Sequence, residues 1–169
     1  MELEELLYVK EALGQNSEPI SVYKIRTMVK DAENLRCKVK SNGRGKWGKF
    51  KEDSRITPFG KFLRRYWIDE TPQFYNVLRG DMSIVGIRPA NEMEWEDFPE
   101  DHRERALKYK PGLLGVQYSL PYNKRATFED VIDIQRQYLE EKEQHPIITD
   151  IKYFFKIWYN IIFRGVRSI

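Results

Sequence analysis

Arg55-Ile-Thr-Pro-Phe-Gly-Lys-Phe-Leu-Arg-Arg-Tyr-Trp-Ile-Asp69-Glu70-Thr-Pro-Gln-Phe-Tyr-Asn-Val-Leu-Arg-Gly-Asp81-Met-Ser-Ile-Val-Gly86 holds two helices and a short strand around one acidic pair. Pro58–Trp67 reads as a helix with Phe59, Phe62, Leu63 and Tyr66 on one side and Lys61, Arg64 and Arg65 on the other. A second short helix runs from Pro72 to Leu78, with Pro favoured in its first turn and Gly80 as its stop. Met82–Val85 reads as a short buried strand ended by Gly86 and Pro89.

Asp69 and Glu70 sit at the junction of the two helices, with cations just upstream that could neutralise a phosphate. Adjacent carboxylates divide labour well when a metal is present: one binds the ion and the other is free to act as nucleophile or base. The spacing alone favours Asp69 as the cap of the following helix, with Glu70 in its first turn, and it is the surrounding residues that point to chemistry instead. Downstream, Pro89 restricts its neighbour to extended geometry, so Arg88 is held rather than floppy. A held guanidinium suits bidentate phosphate binding, although pairing with the acidic stretch that follows would also occupy it.

Outward from this centre, Leu3, Leu6 and Leu7, with Val9 or Leu13, have helical spacing, so residues 2–13 are expected to form a short amphipathic helix. Pro19–Ile25 is rich in β-formers and reads as a strand that delivers Lys24 and Arg26 at its end. Helix is expected from Thr27 to Arg36, loop over Ser41–Lys49, helix over Pro99–Lys108 and strand over Leu114–Tyr118. Thr127 and Asp130 make a capping-box-like start to a helix ending near Glu143, and a last helix spans about Thr149 to Phe163. The organisation is an N-terminal amphipathic segment, 1–18, followed by one domain, 19–169. The fold class is α+β: mostly helical, with a small β-sheet and amphipathic interfacial helices.

At 169 residues the chain is long enough for a real core. The net charge of +3 implies little by itself, but its distribution does. Basic residues dominate from Lys38 to Arg55, and acidic ones from Ala90 to Glu104. Cys37 is the only cysteine, which excludes an intrachain disulfide, and no apolar run reaches the roughly 18–20 residues that span a bilayer. With no signal peptide opening it, the chain reads as intracellular.

Gly43-Arg-Gly-Lys-Trp-Gly48 matches G-x-G-x-x-G but lacks the preceding strand and following helix that a dinucleotide loop needs. One Cys and two distant histidines, His102 and His145, exclude a zinc cage, so any metal should be a hard ion on oxygen, Mg²⁺ above all. No nucleic-acid partner is expected, because the basic loop with Trp47 lacks a recognisable binding module. The last helix interleaves Phe154, Phe155, Trp158 and Phe163 with Lys152, Lys156 and Arg164, as an interfacial helix at headgroup depth would. A core helix with snorkelling lysines is the competing account.

The chain resembles the bacterial sugar transferase family, the monotopic polyprenyl-phosphate phosphoglycosyl transferases. The matching stretches are Tyr23-Lys-Ile-Arg26-Thr-Met28, Asp31-Ala-Glu33, Arg55-Ile-Thr-Pro-Phe-Gly60, Leu63-Arg64-Arg65, Asp69-Glu70-Thr-Pro-Gln73, Asn76 to Gly86, Arg88-Pro89 and Lys110-Pro-Gly112-Leu-Leu-Gly115. The resemblance implies a catalytic domain over 19–169 that transfers a phosphosugar from a UDP-sugar to a polyprenyl phosphate, releasing UMP. Asp69 would be the nucleophile and Glu70 the Mg²⁺ ligand. Arg64 and Arg88, and more weakly Lys24 and Arg26, would contact phosphate or uridine. It also implies a peripheral or monotopic place at the cytoplasmic face of the bacterial inner membrane, and is compatible with a homo-oligomer.

Three departures stand out. Before the Tyr-Lys-x-Arg stretch the family usually carries an apolar helix that enters and leaves one membrane leaflet, where this sequence has the acidic Met1–Glu18. Ile87-Arg88-Pro89 replaces the usual Pro-Arg-Pro, and the nearest counterpart of an acid preceding a Tyr in the penultimate helix is Asp133, two residues out of register with Tyr138. A related non-catalytic module that acts at the membrane surface is the alternative.

Overall fold

The computed structural model describes residues 6–30, 32, 53–120 and 127–166. Strands β1 (Leu7–Leu13) and β2 (Pro19–Ile25) form an antiparallel hairpin with Leu7 opposite Ile25 and Leu13 opposite Pro19. The helix expected over residues 2–13 is therefore corrected to strand from Leu7 onward, with residues 1–5 outside the described residues. Tyr8 and Val9 favour strand geometry, and the partner strand begins only six positions after β1 ends. Pairing and the burial of Ala12 against Val22 outweigh a helical pattern carried by a few leucines.

Met28 then bridges Ile56 in antiparallel fashion, so the helix expected to begin at Thr27 does not start there. Residues 29, 30 and 32 are not helical either, and the remainder of that span, Cys37 and the loop Ser41–Lys49 lie outside the described residues.

Helix α1 (Pro58–Arg65) starts at Thr57, whose side chain accepts from the Gly60 amide. A 3₁₀ turn, Ile68–Glu70, leads to α2 (Gln73–Arg79), which ends as expected at Gly80 in the left-handed region, φ 83°. That conformation is strained for any residue with a Cβ.

Strand β3 (Ser83–Gly86) pairs in parallel with β4 (Gly112–Gly115), so a crossover must join them. It contains α3 (Glu92–Trp95) and α4 (Glu100–Ala106). The Asn91–Glu94 capping box that starts α3 was not read from the sequence. The strand expected over Leu114–Tyr118 begins earlier and turns into a 3₁₀ helix at Val116–Ser119.

Helix α5 (Phe128–Gln144) carries the expected Thr127–Asp130 capping box, and α6 is Pro146–Phe163. Together these elements make an α+β domain, mostly helical, with two two-stranded sheets among the described residues. The main core joins Val85 and Ile87 to Val116 and Tyr118, Tyr138 and Leu139 of α5, and Tyr153 and Ile157 of α6. A smaller cluster, Ala12, Val22, Met82 and Leu113, sits between the two sheets.

Inside the main layer, His102 is fully buried, and its Nε2 lies 2.7 Å from Gln135 Oε1 while Nδ1 has no partner among the described residues. Burial holds this imidazole below its ordinary value of 6.5, so the fold selects the neutral ring donating from Nε2. The unfolded chain takes up a proton first as pH falls, so this contribution is present above the ordinary histidine range and is lost below it. Thermal unfolding should therefore drop in midpoint between about pH 7.5 and pH 5.5. In His102→Phe that part of the slope should vanish.

Candidate active site

Asp69 and Glu70 are only 5 % and 3 % exposed, a depth at which unpaired carboxylates are strongly penalised. The corner that buries them begins at Trp67, a non-glycine residue with φ 63°. It turns the chain out of α1 into the 3₁₀ turn, so that both acids face inward. Neither caps α2: Pro72 occupies that position, and no side-chain capping bond forms there.

Three elements bring cations to the pair. β2 supplies Lys24, whose Nζ lies 3.4 Å from Glu70 Oε1. The segment after β3 supplies Arg88, which grips Glu70 through Nη2 to Oε1 and, at 3.5 Å, Nη1 to Oε2. Arg88 Nη1 also donates to the Tyr118 hydroxyl at 2.7 Å, and the Tyr118 ring meets Trp67 edge-on at 4.4 Å. The end of α1 supplies Arg64, close enough for its charge to act on Asp69 yet not ion-paired with it among the described residues.

Burial raises the Glu70 carboxyl, but Arg88 and Lys24 outweigh it and hold the group below the usual carboxylate range. Asp69 goes the other way: burial and then the Glu70 charge push it up, against the pull of Lys24, Arg64 and Arg88. Lys24 falls to about 8, chiefly through burial and then the Arg88 charge. Two adjacent carboxyls are thus driven apart, which separates a permanently charged group from a more basic one.

Asp69 Oδ1 is fully shielded and accepts no hydrogen bond among the described residues. Those residues contain no group of three or more His, Cys, Asp or Glu able to hold a metal. A hard cation here would draw on Glu70 and on oxygens brought by a ligand, the usual arrangement for Mg²⁺, and would leave the orphan Asp69 oxygen uncoordinated.

The other expected site residues are spread more widely. Arg26 reaches the Leu7 carbonyl on β1, 3.3 Å from Nη2. Asp133 is exposed on α5, lining a surface depression with Phe98 and Phe128. Tyr138 is buried, with its hydroxyl 2.7 Å from Asp150 and 3.3 Å from the Val85 carbonyl. Sequence reasoning passed over Tyr118 and Trp67. An aromatic just before the acidic pair was visible, but its left-handed backbone was not.

The helices on either side of the acidic turn expose Phe59, Phe62 and Tyr66 from α1 and Phe74, Tyr75 and Leu78 from α2. α6 exposes Ile148, Ile151, Phe155, Trp158, Ile162 and Phe163. No helix among the described residues is long and apolar enough to cross a membrane.

The family profile described as Bacterial sugar transferase matches residues 2–164. The chain belongs to that family. It is 37% identical over 148 residues to the galactosyl transferase CpsE of Streptococcus agalactiae serotype III (strain NEM316), covering 86% of this chain and 32% of that protein. It is 41% identical over 95 residues to a putative undecaprenyl-phosphate N-acetylgalactosaminyl 1-phosphate transferase of Bacillus subtilis (strain 168), covering 56% and 48%. A UDP-glucose:undecaprenyl-phosphate glucose-1-phosphate transferase of Escherichia coli (strain K12) is 40% identical over 105 residues, covering 60% and 20%. The chain thus spans less than half the length of each of these relatives.

Removing Arg88 leaves a buried Glu70 with Lys24 as its remaining partner. Arg88→Met should lower stability by about 2 kcal/mol, less than for a fully buried pair because Arg88 is partly exposed, or about 4–8 °C in Tm. Adding Glu70→Gln should recover part of that loss, as calorimetry of the double variant would show.

Proposed function

We propose that the chain transfers a phosphosugar from a UDP-sugar to a polyprenyl phosphate through a covalent intermediate on Asp69. The observation that carries this reading is a buried Asp69 with a raised pKa and an oxygen unpartnered among the described residues, beside a Glu70 kept anionic by Arg88 and Lys24. Relatives named for undecaprenyl-phosphate and sugar-phosphate transfer support the substrate class.

In the first step an Asp69 carboxylate oxygen attacks the sugar-bearing phosphorus. The bond from that phosphorus to the bridging oxygen breaks, its electron pair leaves with UMP, and an aspartyl phosphosugar remains. In the second step an oxygen of the polyprenyl phosphate attacks the same phosphorus, and the bond to Asp69 breaks. The products are a polyprenyl diphosphate sugar and the free carboxylate. Burial strengthens the nucleophile, because an oxygen stripped of hydrogen bonds keeps its electron density for the attack. Arg64 stands close enough to Asp69 to balance the added phosphate charge, and Arg88 and Lys24 keep Glu70 from repelling it.

Glu70 would hold Mg²⁺, since a carboxylate kept anionic fits a hard ion completed by diphosphate oxygens, and this leaves the Asp69 oxygen free for the attack. When bound, the ion supplies neutralisation of the diphosphate charge. The aromatic faces of α1, α2 and α6, with Lys61, Arg65 and Lys156 among them, suit a place in the headgroup layer. We assign that place to the cytoplasmic face of the bacterial inner membrane, where a water-soluble UDP-sugar and a lipid-borne phosphate can meet.

UMP release in detergent micelles with pooled UDP-sugars, Mg²⁺ and a short polyprenyl phosphate tests the reading. Turnover should need the lipid acceptor for repeated cycles and fall at least about 10³-fold in Asp69→Asn. Undiminished turnover in that variant would sink the nucleophile, and none in the wild type would favour a non-catalytic membrane module. Glu70→Ala should shift the Mg²⁺ dependence to higher concentration. An unchanged titration would remove Glu70 from the metal site.

A further inference from the structure

Arg64 has two ends, and only one is spoken for. Its Nε donates to the Thr27 hydroxyl at 2.9 Å, while its Nη nitrogens make no hydrogen bond or ion pair among the described residues. Burial lowers the Arg64 pKa and the Asp69 charge raises it, so the guanidinium is partly dehydrated and lies within electrostatic reach of the nucleophile. A guanidinium tethered through Nε offers its free Nη edge as a two-pronged donor, the geometry that matches phosphate oxygens.

Thr27 is itself held rigidly. It is 5 % exposed, and its carbonyl accepts from the Thr57 amide at 3.0 Å and the Thr57 hydroxyl at 3.3 Å. Thr57 in turn caps α1 by accepting from the Gly60 amide at 2.9 Å. Gly60 is required at that approach: a Cβ there would lie 2.1 Å from the Thr27 carbonyl oxygen. The chain just after β2 is therefore clamped onto the first turn of α1, and the Thr27 hydroxyl meets Arg64, seven residues past Thr57 on the same helical face.

We infer that Thr27 is a positioning residue of the transfer reaction: its hydroxyl fixes the Arg64 fork so that the Nη edge receives the sugar-bearing phosphate beside Asp69. This rests on the proposed transfer function and goes beyond it by giving a catalytic orientation role to a neutral side chain outside the acidic turn. A free arginine side chain would have to be ordered by each incoming substrate, whereas this one is ordered beforehand.

The test is a double-mutant cycle on UMP release. Thr27→Val keeps the shape and removes the acceptor, and should lower kcat/KM about tenfold with little change in Tm. Thr27→Ser retains the hydroxyl and should stay within about threefold of wild type. In an Arg64→Ala background, Thr27→Val should have almost no further effect. An equal loss in both backgrounds would show that Thr27 supports only the fold and would overturn the inference.

A readout without turnover runs alongside. The Arg64 Nε–H resonance should be protected from solvent exchange and shift on UDP addition in wild type. Both properties should be lost in Thr27→Val. If they persist in that variant, the inference fails. If wild type shows no UMP release but the resonance behaves as expected, the transfer reading fails while the Thr27–Arg64 placement for a diphosphate ligand stands.

Discussion

Two carboxylates side by side beneath the surface form the constraint around which the rest of the molecule is arranged. Neither Asp69 nor Glu70 can be solvated at 5 % and 3 % exposure, so the protein must bring cations to them. No single element could carry Lys24, Arg64 and Arg88 to one place. The three come from the hairpin, the end of α1 and the bend after β3, so the site exists only when those parts are docked together.

Docking of the hairpin depends on Asn76, which has no exposed surface. Its Oδ1 accepts from the Tyr23 amide, and its Nδ2 donates to the Ser21 carbonyl and to Asp81. One side chain of α2 thereby fixes the backbone of β2 next to Lys24. Arg88 is fixed by the backbone on both flanks. The Ile87 carbonyl accepts from Gly112, and the Ala90 carbonyl accepts from Leu13 of β1. Behind β3, Tyr138 approaches the Val85 carbonyl, while Lys142 ties Tyr138 to Asp150 and so couples α5 to α6. The helical layer thus serves the site by stiffening the strand that delivers Arg88.

Local chemistry explains what the sequence made legible. Pro58, Pro72, Gly80 and the Thr127–Asp130 pair are punctuation with near-local causes, and the helices they bound appear close to their expected ends. β2 is likewise where its β-branched residues place it. β1 was misread because a short hairpin strand with an irregular burial pattern carries little period of its own, and pairing with β2 decides its state. At the site, Asp69 and Glu70 stand out as a pair and Pro89 marks out Arg88, while the resemblance gives Arg64 and Lys24 their roles. The partners that orient them, Thr27, Tyr118 and Asn76, are neutral residues whose importance is a matter of contact across many positions of sequence. No spacing rule encodes such contacts.

Trp67 shows how the corner is held. A left-handed conformation at a bulky residue carries a penalty of about 1–2 kcal/mol, and nothing in a tryptophan offsets it locally. The compensation is tertiary: the indole packs edge-on against Tyr118, and the Tyr118 hydroxyl accepts from Arg88, which in turn neutralises Glu70. Strain at the corner, aromatic packing and charge neutralisation therefore form one loop of dependence, in which the turn that buries the acids is stabilised by a partner of the cation those acids require. Glycine at 67 would relax the backbone but remove the ring that backs Tyr118. The bulk of Trp67 thus belongs to the electrostatics of the site as much as to its packing.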